Sequence, residues 1–191
     1  MEGYINKRQR YYNSEEEFRD IRLNLKINPC PHCRERGCLI LHGYLYGYGE
    51  GPGSKRRKRG HRIFCSNRRK KNDKGCGRTF SILLSCVIKK YITSAISLWK
   101  FLDNISEDKS LIRALRSTSS NIQEAGIYSI FNKFQNRQAD IRTRPMSLKD
   151  PPALKHTRSS VIQTIQHLRS VFKESVCPVP QFQYHFQTSF I

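Results

Sequence analysis

The sequence predicts an α+β chain. A small ribbon of short antiparallel strands, stapled by thiols, precedes an all-α helix-turn-helix bundle and a C-terminal helix. Three observations carry that expectation. Cysteines at positions 30, 33, 65 and 76 form two sets at the ends of a strand-like stretch. Between Tyr91 and Arg142, apolar residues recur three and four positions apart, the period of helices packed on one face. The 191 residues hold 35 Lys and Arg against 15 Asp and Glu, a formal charge of +20, much of it gathered around the thiols. The expected organisation is an N-terminal helix within 1–29, the ribbon with its basic insert over 30–84, the helix-turn-helix over 90–144, a linker over 145–156, and a helix with an extended tail over 157–191.

Taking the elements in order, Ser14-Glu15-Glu16-Glu17 has the form of a capping box, Ser14 as N-cap and Glu17 at the third helical position. Phe18, Ile21 and Leu25 follow at helical spacing, which predicts a helix from about Glu15 to Leu25 packing on the ribbon. Pro29 ends it and leads into Cys30-Pro31-His32-Cys33. Two thiols separated by two residues occupy one tight knuckle, and two more across a loop complete the four soft ligands that a tetrahedral zinc site takes. Cys30, Cys33, Cys65 and Cys76 are therefore the expected zinc ligands, although ten residues separate the last two. Lys7, Arg8 and Arg10 with no apolar run after them do not read as a secretory leader, so seven cysteines, an odd number, are expected to be thiolates on metal in a reducing compartment, not a disulfide framework.

Leu39, Leu41, Tyr44, Tyr46 and Tyr48 alternate as a strand does. Gly47, Gly49, Gly51, Pro52 and Gly53 make a flexible tip. Lys55-Arg56-Arg57-Lys58-Arg59 follows, and His61-Arg62-Ile63-Phe64-Cys65 reads as the returning strand. From Lys55 to Arg78 there are twelve basic residues against one acid, Asp73, so this segment supplies +11 of the chain's +20. Charge this concentrated on a stapled scaffold neutralises phosphates, releasing counterions with little sequence preference. The expected phosphate contacts are Lys55, Arg56, Arg57, Lys58, Arg59, Arg62, Arg68, Arg69, Lys70 and Lys71, on DNA, with RNA as the alternative partner.

Beyond Phe80 the character becomes helical. Ile92, Ala95, Ile96, Trp99, Leu102 and Ile105 mark one helix over Tyr91–Ile105. Glu107-Asp108 opens a second, short one with Leu111, Ile112 and Leu115 inward. After a turn at Ser117–Ser120, a third runs to about Arg142 with Ile127, Ile130, Phe131, Phe134 and Ile141 on one side. The tight turn between the last two suggests a helix-turn-helix, whose third helix would read the major groove through Asn121, Gln123, Glu124, Tyr128 and Asn132. Three prolines from Pro145 to Pro152 predict a linker, and Thr157–Lys173 a further amphipathic helix on Val161, Ile165, Leu168 and Phe172. The tail from Pro178 to Phe186 alternates aromatic and polar residues like an extended strand.

The knuckle Cys30-Pro31-His32-Cys33, with His42-Gly43-Tyr44, Arg62-Ile63-Phe64-Cys65 and Cys76-Gly77-Arg78-Thr79-Phe80-Ser81, resembles the zinc ribbons of bacterial transposases and insertion-sequence-associated small proteins, in which a helix-turn-helix follows. The resemblance covers roughly Cys30 to Arg142. It implies metal-stapled DNA binding at a mobile element. The further partner expected of the chain is a second copy of itself, as a homodimer, or a transposition protein. The long Cys65–Cys76 insert departs from the pattern, and Cys38, His32, His42 and His61 are the substitutes for the fourth ligand.

Strand transfer needs three carboxylates around two metal ions. The acids after the ribbon, Asp103, Glu107, Asp108, Glu124, Asp140, Asp150 and Glu174, lack a strand-rich setting, and no His-x-His occurs. Cys86 and Cys177 read as buried, inert thiols. The expectation is a DNA-binding protein that is not an enzyme, with a zinc-ribbon RNA-binding or assembly protein as the alternative. No apolar run approaches the roughly eighteen residues of a membrane span, so the expected location is cytoplasmic and nucleoid-associated.

Overall fold

A computed structural model describes residues 10–51, 53–67, 75–107, 110–118, 124–153 and 159–191. Among them the fold is mixed α+β, with one four-stranded sheet and seven helices. It divides into two compact units: residues 1–47 with 56–85, and residues 48–55 with 86–191.

The first unit holds β1 (Tyr11–Tyr12), α1 (Glu15–Leu23), β2 (Leu39–Tyr48, whose last residue groups with the other unit), β3 (Arg56–Cys65) and β4 (Thr79–Leu84). Ser14 caps α1 as expected, accepting the Glu17 N–H, while the Glu17 carboxylate reaches back to the N–H of Asn13 at 2.7 Å. The acidic first turn, Glu15 to Glu17, also suits the positive end of the helix. Phe18, Ile21 and Leu25 are all buried and meet Tyr12, Leu39, Ile63 and Ile82 in the core of this unit.

The strands lie in the order β1-β4-β3-β2. β3 and β4 are antiparallel, pairing Ile63 with Phe80 and Gly60 with Leu83. A side chain at Gly60 would come within 2.3 Å of the Ile82 carbonyl oxygen, so this pairing requires glycine. The sheet is not purely antiparallel: the two residues of β1 run parallel to β4, tied by Leu83 N–H to Arg10 O and Ser85 N–H to Tyr12 O, both 2.8 Å. A two-residue strand leaves no periodic trace, which is why the pattern of residues does not announce it. The returning strand also starts earlier than expected, at Arg56 instead of His61, so most of the basic run lies within the sheet.

The second unit contains α2 (Ala95–Ser106), α3 (Leu111–Ser117), α4 (Glu124–Asn136), α5 (Gln138–Met146), α6 (Ser160–Val171) and α7 (Pro178–Phe186). Leu98, Phe101, Leu102, Ile127, Phe134, Ile141, Ile165, Leu168 and Phe182 share its core. α2 begins at Ala95 because Ser94 caps it, accepting the Ser97 N–H at 3.1 Å. Glu50, in the glycine-rich tip, reinforces that end: its carboxylate accepts the Ser94 N–H at 2.6 Å and the Ser97 hydroxyl at 2.7 Å.

Three expectations change here. The third long helix is broken near Arg137 into α4 and α5, where the Arg137 N–H is shared between the carbonyls of Lys133 and Phe134. Pro145 is buried in the last turn of α5, so the expected 145–156 linker begins only after Met146, and its residues 154–156 lie outside the described ones; His167 on α6 holds the chain beyond Pro145 through Nε2 to the Lys149 carbonyl at 2.7 Å. The tail is helix α7, not a strand. Its alternation conceals a second period, with Val179, Phe182 and Gln183 buried and Phe186 packed against the same core. Pro178 and Pro180 fall in the first turn, where backbone N–H groups need no helical partner. Gln183 is fully buried with both ends used, donating to Val87 O and accepting the Phe190 N–H, each at 3.0 Å.

No helix among the described residues is long and apolar enough to cross a membrane.

Candidate metal centre and basic hairpin

The knuckle after α1 is closed by its backbone. The Cys30 N–H donates to Glu35 O at 2.8 Å, the Arg34 N–H to Cys30 O at 2.9 Å, and Arg34 takes a left-handed φ of 68° to complete the turn. Across from it, Cys65 ends β3 and Cys76 lies just before β4. Ten residues intervene, yet the backbone joins the two ends: Cys65 N–H donates to Arg78 O at 2.9 Å and Gly77 N–H to Cys65 O at 3.0 Å. Gly75 allows this closure, since a side chain there would sit 1.9 Å from the Ser66 carbonyl oxygen and 3.0 Å from the Cys65 sulfur.

The sulfurs of Cys30, Cys33, Cys65 and Cys76 all lie within 4.8 Å of one another. Cys30 and Cys76 are 3.9 Å apart, and Cys33 and Cys65 3.7 Å. A tetrahedral site with zinc–sulfur bonds of about 2.3 Å has edges of roughly 3.8 Å, so the donor set and spacing fit such an ion. Two sulfurs accept backbone hydrogen bonds as thiolates in metal knuckles do, from the His32 N–H to Cys30 at 3.4 Å and from the Cys76 N–H to Cys65 at 3.3 Å. Burial pushes the Cys30 and Cys65 thiols up. At Cys33 burial pushes the same way, but hydrogen bonds from the Glu35 backbone and the neighbouring thiols outweigh it and bring the group down to about 7.

The candidate substitutes fall outside this group. Cys38 is buried with its sulfur 3.2 Å from that of Cys65, and it donates to Glu35 O at 3.4 Å. His32 meets the edge of Phe80, and His42 lies against Phe64. His61 is buried between Phe18, Tyr12 and Tyr44. Of the two remaining thiols, Cys177 is buried, donates to Ala95 O at 3.4 Å and is pushed up to about 11 by that burial. Cys86 is exposed, contrary to the expectation of a buried thiol.

Lys55, Arg56, Arg57 and Arg62 are exposed. The Arg56 guanidinium lies 5.2 Å from the Tyr46 ring centre and the Lys58 ammonium 4.8 Å from that of Tyr44. Lys58 is also bound to the Glu15 carboxylate at 2.5 Å. Burial raises that carboxyl, but the bond and charge of Lys58 outweigh it and hold Glu15 below the ordinary carboxylate range. The stem of Arg59 packs where Gly47 has no side chain. Arg68, Arg69, Lys70 and Lys71 lie outside the described residues, as do Asn121 and Gln123 between α3 and α4. Tyr128 is exposed on α4. The cation–ring pairs of β2 and β3 were not foreseen, although Tyr44 and Tyr46 at a spacing of two, opposite a basic run, carry the signal.

In comparison with known proteins, the chain matches no family model, no curated protein and no solved structure.

Proposed function

We propose that this chain is a zinc-stapled DNA-binding protein without a catalytic role, of the kind associated with mobile elements. One observation carries the reading: four sulfurs at near-tetrahedral spacing anchor β3, the strand that carries Arg56 to Arg59. Four thiolates in a tetrahedron select zinc or an iron–sulfur centre, and zinc supplies structure without redox chemistry. Cys30, Cys33, Cys65 and Cys76 would hold the ion. The metal would tie the knuckle to the ends of β3 and β4 and so add to the core on which the sheet presents its positive surface.

Two of the acids on the helices are committed to structure. Asp103 pairs with Arg169, and Asp140 with both Arg137 and Arg144. This favours binding over metal-dependent cleavage. The association with a mobile element rests on the resemblance of the first knuckle and the Cys-Gly-Arg-Thr-Phe closure. The test is metal analysis of the purified protein together with fluorescence anisotropy on a labelled duplex at rising salt. About one equivalent of zinc and an affinity that falls steeply with salt are expected. Under half an equivalent of zinc, or no binding at low salt, refutes the reading.

A further inference from the structure

We infer that the face of β2 and β3 bearing Tyr44 and Tyr46 takes unpaired bases of single-stranded DNA. This rests on the DNA-binding reading above and names the form of DNA that the hairpin engages.

Tyr44 and Tyr46 stand two residues apart on one strand and therefore share a face. They are 53% and 49% exposed. A chain with two apolar cores has places to bury such rings, yet these two remain in water. Each ring is instead held by a cation from β3, Arg56 over Tyr46 and Lys58 over Tyr44. A cation covers one side of a ring; Tyr44 also tilts against His61 at 5.3 Å, and the half of each ring that stays exposed is open to another flat partner. Glu15 neutralises Lys58, which suits it to orienting Tyr44, while the exposed Arg56, on the same face of β3, provides charge for a phosphate. Aromatic platforms beside basic side chains are the means by which single strands are bound without regard to sequence.

Spacing separates a single strand from a duplex. The two ring centres lie 6.1 Å apart. Neighbouring bases in one strand of a duplex rise only about 3.4 Å, so stacked bases do not reach both rings in register. An extended, unstacked strand does. His42, also exposed and tilted against Phe64 at 5.5 Å, continues the row along β2. With a formal charge of +20 on the chain, the occupant that fits this face is a polyanion carrying flat rings.

The test uses the zinc-loaded full chain and four labelled probes at about 0.15 M salt: an oligothymidylate of about 12 nucleotides, an abasic strand of the same length and charge, a duplex, and an oligouridylate of the same length. The oligothymidylate is expected to bind at least tenfold more tightly than the abasic strand and more tightly than the duplex, with quenching of tyrosine fluorescence. Tyr44→Leu and Tyr46→Leu should each weaken it about tenfold, while Tyr→Phe at the same positions retains binding because the ring is kept. Equal affinity for abasic and base-bearing strands overturns the inference, and this measurement needs no variant to fold. Duplex binding that equals or exceeds single-strand binding overturns it too, while leaving DNA binding intact. Failure of every probe removes the DNA-binding reading itself. An oligouridylate bound tenfold more tightly than the oligothymidylate replaces DNA by RNA as the occupant.

Discussion

His61 lies face to face with Phe18, ring centres 3.3 Å apart and planes within 4°. Tyr12 and Tyr44 close around the same imidazole, and neither of its nitrogens makes a hydrogen bond. Its nearest ionic neighbours are Glu15, 3.5 Å from Nε2, and Lys58. Burial, with the charge of Lys58 acting in the same sense, brings this histidine down to about 4 from an ordinary 6.5. A depressed folded value means that the unfolded chain takes up the proton first. Stability tied to His61 is therefore complete above pH 6.5 and is lost as pH falls toward 4. The shift corresponds to about 3 kcal/mol at most. Urea midpoints of wild type and His61→Phe, compared at pH 7.5 and 4.5, should show a smaller acid loss in the variant. Metal release at low pH is common to both chains, so equal losses would contradict this account.

Cys38 and Cys76 compete for one role, and metal content separates them. Cys76→Ser should lose most of the bound zinc, and so should Ser at Cys30, Cys33 or Cys65. Cys38→Ser should retain about one equivalent, since its sulfur lies beside Cys65 but outside the group of four. The reverse result, zinc kept in Cys76→Ser and lost in Cys38→Ser, would reassign the fourth ligand. Removing the metal with a chelator should also melt the first unit before the second, as followed by hydrogen exchange, because only the first contains the thiol cluster.

The salt dependence of duplex binding should identify which hairpin residues neutralise phosphates. Lys58 is engaged by Glu15, so Lys58→Gln should change the slope little. Lys55, Arg57 and Arg62 are exposed. Replacing those three by Gln should reduce the slope of log K against log salt by about 2 to 3, at roughly 0.9 for each phosphate left without its cation. An unchanged slope would place the phosphate-binding residues elsewhere.

Phe190 near the C-terminus is fully buried, packed edge-on to Phe182 at 5.4 Å and against Phe134 at 5.9 Å. Phe190→Ala should destabilise the helical unit by about 3 kcal/mol. Thermal or denaturant unfolding followed by Trp99 fluorescence would measure it. A loss below about 1 kcal/mol would mean that the tail contributes little to this core.

Elements whose local chemistry agrees with their tertiary role were legible in advance. The bounds of β2 match the alternation of Leu39 to Tyr48, and the Ser14 cap marks the start of α1. The four-thiol cluster followed from residue type and order alone, even across the long insert. Where two periods coexist, the residues do not choose between them: Phe182, Tyr184 and Phe186 read as a strand, but burial of Val179, Phe182 and Gln183 selects the helix. The break at Arg137 has no glycine or proline to announce it. Arg56 to Arg59 look like loop residues by composition and become strand through pairing within the hairpin. The cation–ring pairs of Tyr44 and Tyr46 depend on register across β2 and β3, which no single segment encodes.

The hydrogen bonds that join Cys65 to Gly77 and Arg78 have an engineering consequence. They join the two ends of the 66–75 segment directly through the backbone. Doubling the length of a flexible segment held at both ends costs only about 0.6 kcal/mol in closure entropy. Provided that Gly75 and the Cys76 N–H hydrogen bond are kept, this position can accept a transplanted peptide, an epitope or a fluorescent label, without redrawing the scaffold around it.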